Sequence, residues 1–456
     1  MKTARVRIGA LGAVFVLMPI MAFVPASAAT PKVGSRCAPK EVGKTIGKLT
    51  CAKDGSRRRW VAVAAAPAAT AAPTTAAGSA AAPAASGGAP IKLGVALGLS
   101  GASTANLAQD QRLGVAVAEK YINDNGGING RKLQLVVQDT GADEAGAIAA
   151  FNALIDNDKV VGIVGPTLSQ QAFAADPIAE RKKVPVLAPS NTAAGIPQIG
   201  DYIARVSAGV ATYAGNAVKY AAANDPLSKA AVFFADDDAF SRNETVVFQN
   251  AVRAGGLELL PPQTFKVNDT DFTTQVNFVR QNRPDLVVIS GLAQAGNLVK
   301  QLRDTGFAGS IVGGNGLNVV QTFSVCKQQC EGLIVAQAYS PEIPNDGVNV
   351  EFSKLFQADN KRIPGQIAAQ AFTGVLVFTE ALRTMEKEGK LNGSLEQIRI
   401  DLNKAVLAGK YSTPLGDISF TSEGEIIQKS FYVAQISMKR GATGDVFSGV
   451  FKYVKF

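Results

Sequence analysis

"YINDNGGINGRKLQL", residues 121–135, is the stretch on which the fold turns. Gly126 and Gly127 are paired, Gly130 follows, and Arg131–Lys132 lead into the apolar run "KLQLVVQD". Glycine reaches positive φ without steric cost, which is what stops a helix and turns the chain tightly. Before the glycines, residues 109–123 space their apolar side chains as a helix does. After them the apolar run is nearly continuous, as in a parallel strand covered on both faces. The stretch is therefore a helix, a corner and a strand. In a parallel α/β layer ligands sit outside the carboxyl ends of the strands. This corner lies at the opposite edge, so its glycines serve the turn and the ligand is held elsewhere.

The same alternation extends outward in both directions. "IKLGVALGL", "VVGIVGP" and "VPVLAPS" read as buried strands, with helices expected at 144–156 and 170–181. A second series, "KAAVFFADD", "DLVVISG" and "SIVGGNG", alternates with helices expected near 244–254, 272–281 and 295–305. The fold class is α/β, with two doubly wound lobes in one chain.

Upstream the composition changes twice. Residues 1–28 carry Lys2, Arg5 and Arg7, an apolar run from Ile8 to Val24 broken by Pro19, and "ASA" before Ala29, the three parts of a secretory signal. At 17 residues the run is shorter than the roughly 20 a membrane helix needs, so cleavage and a secreted chain in the periplasm or cell-wall space are expected. Residues 29–60 hold nine basic residues against Glu41 and Asp54, with Cys37 and Cys51 expected to form a disulfide worth about 3 kcal/mol in a small module. Residues 61–90 are almost wholly alanine, proline, threonine, glycine and serine, a flexible linker able to reach roughly 90 Å.

Charge follows these segments. Of the formal +9, residues 1–28 supply three and residues 29–60 seven, which leaves −1 for residues 61–456. A nucleic-acid partner for the main body loses its electrostatic basis. The basic module suits an anionic cell-wall polymer. Its "GKTIGKL" is not a phosphate loop, because the glycine spacing is short and Leu49 stands where a hydroxyl should ligate magnesium.

Taken in order, "GLSG", "INDNGGINGRKLQLVVQDT", "VVGIVGPTLSQQ", "KKVPVLAPSNTA", "DTDFTTQVNFVRQNRPDLVVISG", "LRDTGFAGSIVGGNGL" and "CEGLIVAQAY" resemble the type I periplasmic binding proteins. They are most similar to the leucine/isoleucine/valine-binding branch that feeds ABC importers, over residues 91–456. The resemblance implies two Rossmann-like lobes joined by three crossovers, with 91–207 and 340–411 in the first and 208–339 and 412–456 in the second. It also implies a small-molecule solute held as a hinge closes, a membrane permease as partner, a monomer, no cofactor and no metal.

On residue type alone, Ser169 beside Leu168 and Gln170, and Ser190 with Asn191 and Thr192, could be plain helix caps or anion-binding groups at helix starts. The resemblance places Ser169, Ser190 and Thr192 where the family binds an amino-acid carboxylate. It departs at the other pole: Asn315 stands at the family's ammonium-binding acid, Phe240 at a usual tyrosine, and Leu292 and Gln294 where an aromatic is usual. A neutral amide cannot balance a desolvated ammonium. The expected ligand is thus a carboxylate lacking an α-ammonium, or an amide-like or aromatic one, unless Asp237 or Asp238 supplies the charge. Ser100 and Asn106 should line the cleft mouth. Cys326 and Cys330 suit a local disulfide better than a metal pair.

Enzyme chemistry is not expected. The chain contains no histidine, which removes Ser-His-Asp and Cys-His catalysis together, and no Gly-x-Ser-x-Gly elbow occurs. Other readings are an extracellular sensor with the same clamshell, or a wall-attached binding protein whose cleft serves no transport.

Overall fold

A computed structural model describes residues 42, 45–46, 49–54, 57–62, 88–342, 347–439 and 449–455. The chain forms two compact units, Met1–Ala82 and Pro83–Phe456. In the first, strands Thr45–Ile46, Leu49–Asp54 and Arg57–Ala62 make an antiparallel meander, so its sheet runs two residues past the expected module boundary at residue 60. Cys51 is buried there. Its expected partner Cys37, the expected signal (1–28) and most of the linker (61–90) lie outside the described residues.

The second unit holds two sheets. In the first lobe the strand order is Leu133–Asp139, Ile91–Leu97, Ile163–Val164, Val186–Ala188, Ile203–Arg205, all parallel. These strands form where the sequence is continuously apolar: Leu93, Val95 and Leu97 face one helical layer and Ala96 the other, all fully buried. The order reverses direction at Ile91–Leu97, which opens a crevice at its carboxyl end. The second lobe repeats the plan with Glu258–Leu259, Lys229–Ala235, Leu286–Ser290, Ser310–Gly313 and Ile334–Gln337 in parallel, then adds Tyr432–Met438 and Gly449–Val454 antiparallel.

The corner at residues 125–132 is as the sequence indicates. Helix Ala105–Asp124 ends, Gly126, Gly127 and Gly130 take φ of 85°, 62° and 95°, and the next strand starts at Leu133. The helix begins four residues earlier than its apolar spacing indicates. The helix expected at 144–156 is α-helical only over Glu144–Asn152 and closes in a π-turn, Ala153–Asn157.

Core membership shows where the chain changes lobe. It passes from the first-lobe core to that of the second between Val206 and Ala208, and back between Ala338 and Tyr339. The last passage departs from the expected boundary at residue 412. Tyr411, Leu415, Ile418 and Phe420, on a small hairpin sheet, still pack in the first lobe, and pairing with the second sheet begins at Tyr432.

Helix Gln366–Lys387, from late in the chain, packs along Ala105–Asp124. Their backbones touch at Gly114, where a Cβ would stand 2.2 Å from the Ala368 carbonyl oxygen. Only glycine permits that approach. Cys326 and Cys330 form a disulfide in the second lobe, both fully buried, stapling the short helix Thr322–Cys326 to the turn after it. Among the described residues no helix is long and apolar enough to cross a membrane.

Candidate functional site

At the crevice the lobes meet around a cavity of about 20 Å³, room for about one water. Leu107, Leu168, Phe240, Leu292 and Ile367 form apolar walls, and Thr167, Ser169, Ser190 and Asn315 supply polar groups. The lobes also touch outside it: Gln294 Nε2 donates to Ala102 O at 3.2 Å, and Ala194 N to Asn243 Oδ1 at 3.2 Å. A solute of several heavy atoms therefore needs the lobes to part before it can be admitted.

On the first-lobe side the polar groups form a fixed network. Gly98 N donates to Thr167 Oγ1 (3.0 Å), Thr167 Oγ1 to Gln111 Oε1 (2.8 Å), and Gln111 Nε2 to Ser190 Oγ (2.7 Å). Ser190 Oγ in turn donates to Thr167 O at 2.6 Å, so its proton is already engaged. Ser169 differs. It opens helix Ser169–Arg181 instead of capping it, and its Oγ accepts from Ala193 N at 3.3 Å, which leaves its own proton for a solute. The helix start is closed by Gln171, whose Oε1 accepts from Leu168 N. Thr192 Oγ1 and Asn191 Oδ1 are buried without a hydrogen-bond partner. Neither residue lines the cavity, though a buried atom of this kind calls for a partner such as water.

The second-lobe side is organised around a residue the sequence did not single out. Glu244, fully buried on helix Ala239–Ala254, accepts from Asn315 N at 2.8 Å and from Ser290 Oγ at 2.6 Å. Burial pushes its carboxyl up to about 7, against the pull of those two donors. In front of it, Asn315 Oδ1 accepts from Gln366 Nε2 at 2.8 Å, a bond between the lobes. Gln366 Oε1 accepts from Asn318 Nδ2 and from Ala338 N.

The remaining expected site residues lie apart from the cavity wall. Ser100 and Asn106 are exposed, and the Ser100 backbone N–H is held by Asp139. Burial tends to raise the Asp139 carboxyl, but hydrogen bonds from Ser100, Gly141 and Leu99 outweigh it and hold it low. Leu107, one residue beyond Asn106, is the one that reaches the cavity. Gln170 points aside, with a buried Oε1 that has no partner. Asp238 caps helix Ala239–Ala254 through Ser241 N (2.8 Å), and Asp237 accepts from Val267 N (2.9 Å). Neither carboxylate lines the cavity, so the charge expected from them is used within the second lobe. Leu107, Ile367, Glu244 and Gln366 were missed. A glutamine opening the helix after "IPG" was the one visible signal among them.

A family model described as "Periplasmic binding protein" matches residues 90–443. In sequence the chain is 24% identical over 343 residues to the leucine-, isoleucine-, valine-, threonine- and alanine-binding protein of Pseudomonas aeruginosa, spanning 74% of this chain and 89% of that one. A branched-chain amino acid transporter substrate-binding protein from Streptococcus pneumoniae, solved with isoleucine, superposes with a TM-score of 0.69 at 21% identity, covering 80% of this chain and 99% of that one. An ABC-transporter solute-binding protein from Rhodopseudomonas palustris, solved with 3,4-dihydroxybenzoic acid, gives 0.67 at 23%, covering 77% and 94%. At these identities the solved structures speak to the fold.

Proposed function

The chain belongs to the periplasmic binding protein family, and from that premise we propose that it is the secreted solute receptor of an ABC importer, closing its two lobes on a small carboxylate. It is a solute-binding protein and not an enzyme. One observation carries the choice of solute: the cavity's first-lobe pole offers the unspent Ser169 hydroxyl proton, while its second-lobe pole offers the amide of Asn315 in place of an acid. Isoleucine and 3,4-dihydroxybenzoic acid, bound by the two structural relatives, share a carboxylate, but only isoleucine carries an ammonium beside it. An uncharged pole at Asn315 favours the second kind of acid.

The mechanism is a population shift. Contacts from both lobes stabilise the closed form, which is what the permease would recognise, and only a solute with higher affinity for that form can drive closure. The N-terminal unit, with its excess of basic residues, would hold the protein to anionic wall polymer while the linker gives the clamshell reach. Loss of wall retention on deleting residues 29–90 tests that part.

For the solute, a thermal-shift screen of the mature protein against amino acids, keto acids, aromatic acids, amides, polyamines and sugars is decisive, since a native-state ligand must raise the melting temperature. Shifts confined to acids without an ammonium support the reading. Shifts confined to sugars or polyamines refute it, and silence across the panel favours a sensor or wall-attached role for the same clamshell.

A further inference from the structure

The geometry points to a cavity that offers a hydrogen-bond donor at Asn315, so that its solute is an acid bearing a neutral acceptor, a keto or ether oxygen, where an α-amino acid carries its ammonium. This rests on the carboxylate reading above and specifies the group beside that carboxylate.

The orientation of a side-chain amide is fixed by its hydrogen-bond network. Here the network has an unambiguous anchor. The backbone N–H of Ala338 can only donate, and it meets one end of the Gln366 side chain, which must be the oxygen. Gln366 therefore turns its Nε2 towards Asn315, and the Asn315 atom that receives it at 2.8 Å must be Oδ1. Asn318 agrees, with Nδ2 on Gln366 Oε1 at 3.0 Å and Oδ1 receiving Gln337 Nε2 at 2.7 Å. With Oδ1 committed and its backbone N–H held by Glu244, Asn315 has its Nδ2 hydrogens left for the cavity that it lines. An ammonium or amide N–H would meet a donor there, whereas a carbonyl or ether oxygen would complete the amide's bonding.

Gln366 is a positioning residue in this account: it sets which end of Asn315 faces the solute. Gln366→Glu keeps the shape but offers only acceptors, so Asn315 must turn its Nδ2 to the new carboxylate and its Oδ1 to the cavity. The polarity of the site is reversed with no change to a residue lining it. Asn315→Asp reaches the same end directly, because one carboxylate oxygen takes Gln366 Nε2 and the other faces the cavity.

The experiment is calorimetric titration of three acids matched in chain length: pentanoate, 2-oxopentanoate and 2-aminopentanoate. Wild type should bind 2-oxopentanoate about tenfold more tightly than pentanoate, with 2-aminopentanoate weakest, as one buried hydrogen bond made or lost predicts. Both variants should lose the preference for the oxo acid and bind the amino acid most tightly. Equal binding of all three acids by wild type, or an unchanged order in a folded variant, overturns the donor assignment and leaves the carboxylate reading standing. If none of the acids binds, the carboxylate reading fails, and the amide orientation is read in the free protein by NMR. Asn315 Nδ2 protons with nuclear Overhauser contacts to the Leu107 and Leu292 methyls uphold the donor; contacts to the Gln366 amide protons in their place overturn it.

Discussion

Glu244 Oε1 receives the backbone N–H of Asn315 at 2.8 Å, so this cavity-lining residue of the second lobe is held from behind by a buried acid. Burial raises that acid from 4.5 to about 7. The folded state then keeps a proton that the unfolded chain has lost over this interval. Its contribution to stability is full below pH 4.5 and is lost as pH rises through about 7. Glu244→Gln should remove this slope and stabilise the protein at pH 8 by on the order of 3 kcal/mol. Urea midpoints between pH 4.5 and 8 check it, and parallel curves for the two proteins would contradict it.

Asp176 is fully buried in helix Ser169–Arg181, with no hydrogen-bond partner for either carboxylate oxygen. Burial alone pushes its carboxyl well above the usual carboxylate range. A raised folded value means stability falls as pH rises from 3.8 towards that value. Asp176→Asn, unable to ionise, should raise Tm at pH 7 and change it little at pH 4. An equal shift at both pH values would mean that ionisation is not the cause.

Arg205, at the edge of the first-lobe sheet, forks onto Glu425 at 2.9 and 2.6 Å and holds Ala193 O at 2.7 Å. The guanidinium is almost wholly buried, so Arg205→Met leaves Glu425 and the Ala193 carbonyl without a donor. Glu425 is 30% exposed and can turn to water, so the loss, led by the unpaired Ala193 carbonyl, is about 2 kcal/mol. Because Ala193 follows Thr192, solute affinity should fall as well. Chemical denaturation and calorimetry measure the two effects separately.

Thr192→Ala removes a hydroxyl without a partner in the first lobe, and Ser169→Ala removes one whose oxygen accepts a single long bond, from Ala193 N at 3.3 Å. Each should weaken carboxylate ligands about tenfold while Tm moves by a degree or two. Ser190→Ala should lower stability instead, because it strips partners from Gln111 and Thr167 O. Unchanged affinity in both of the first two variants would place the solute elsewhere.

Asn315→Glu restores an acid at the second-lobe pole. The variant should gain affinity for leucine or another α-amino acid, tenfold or more, relative to wild type. No gain for any amino acid in a calorimetric panel would show that this loop does not face the solute.

The strands and the glycine corner were readable because each is a local pattern: a run of apolar residues is buried on both faces, and positive φ selects glycine. Cavity-lining polar residues were readable only where strand ends announce them, as at Ser169, Ser190 and Asn315. Residue type alone left Ser169 open between a cap and a binding group; the helix start is closed by Gln171 from inside the helix, and Ser169 Oγ accepts from Ala193 N. Asp237 and Asp238 look like available charge in a run of three acids, yet their bonds to Val267 and Ser241 are invisible without the turn that makes them. Glu244 comes from an amphipathic helix whose buried face is decided by distant segments. Gln366 opens a helix buried on all sides over residues 366–379, where periodicity singles out no residue.

The backbone contact between Gly114 and Ala368 sets an order of events in the life of the chain. The lobe that emerges first from the ribosome lacks the helix that completes its core until more than two hundred further residues have followed. The parallel strands of the second lobe can assemble in the interval, but its two antiparallel strands, Tyr432–Met438 and Gly449–Val454, come later still. A newly made molecule thus carries its oldest segment longest unfinished, and a chain truncated before Gln366 presents an exposed apolar flank to the cell's quality control.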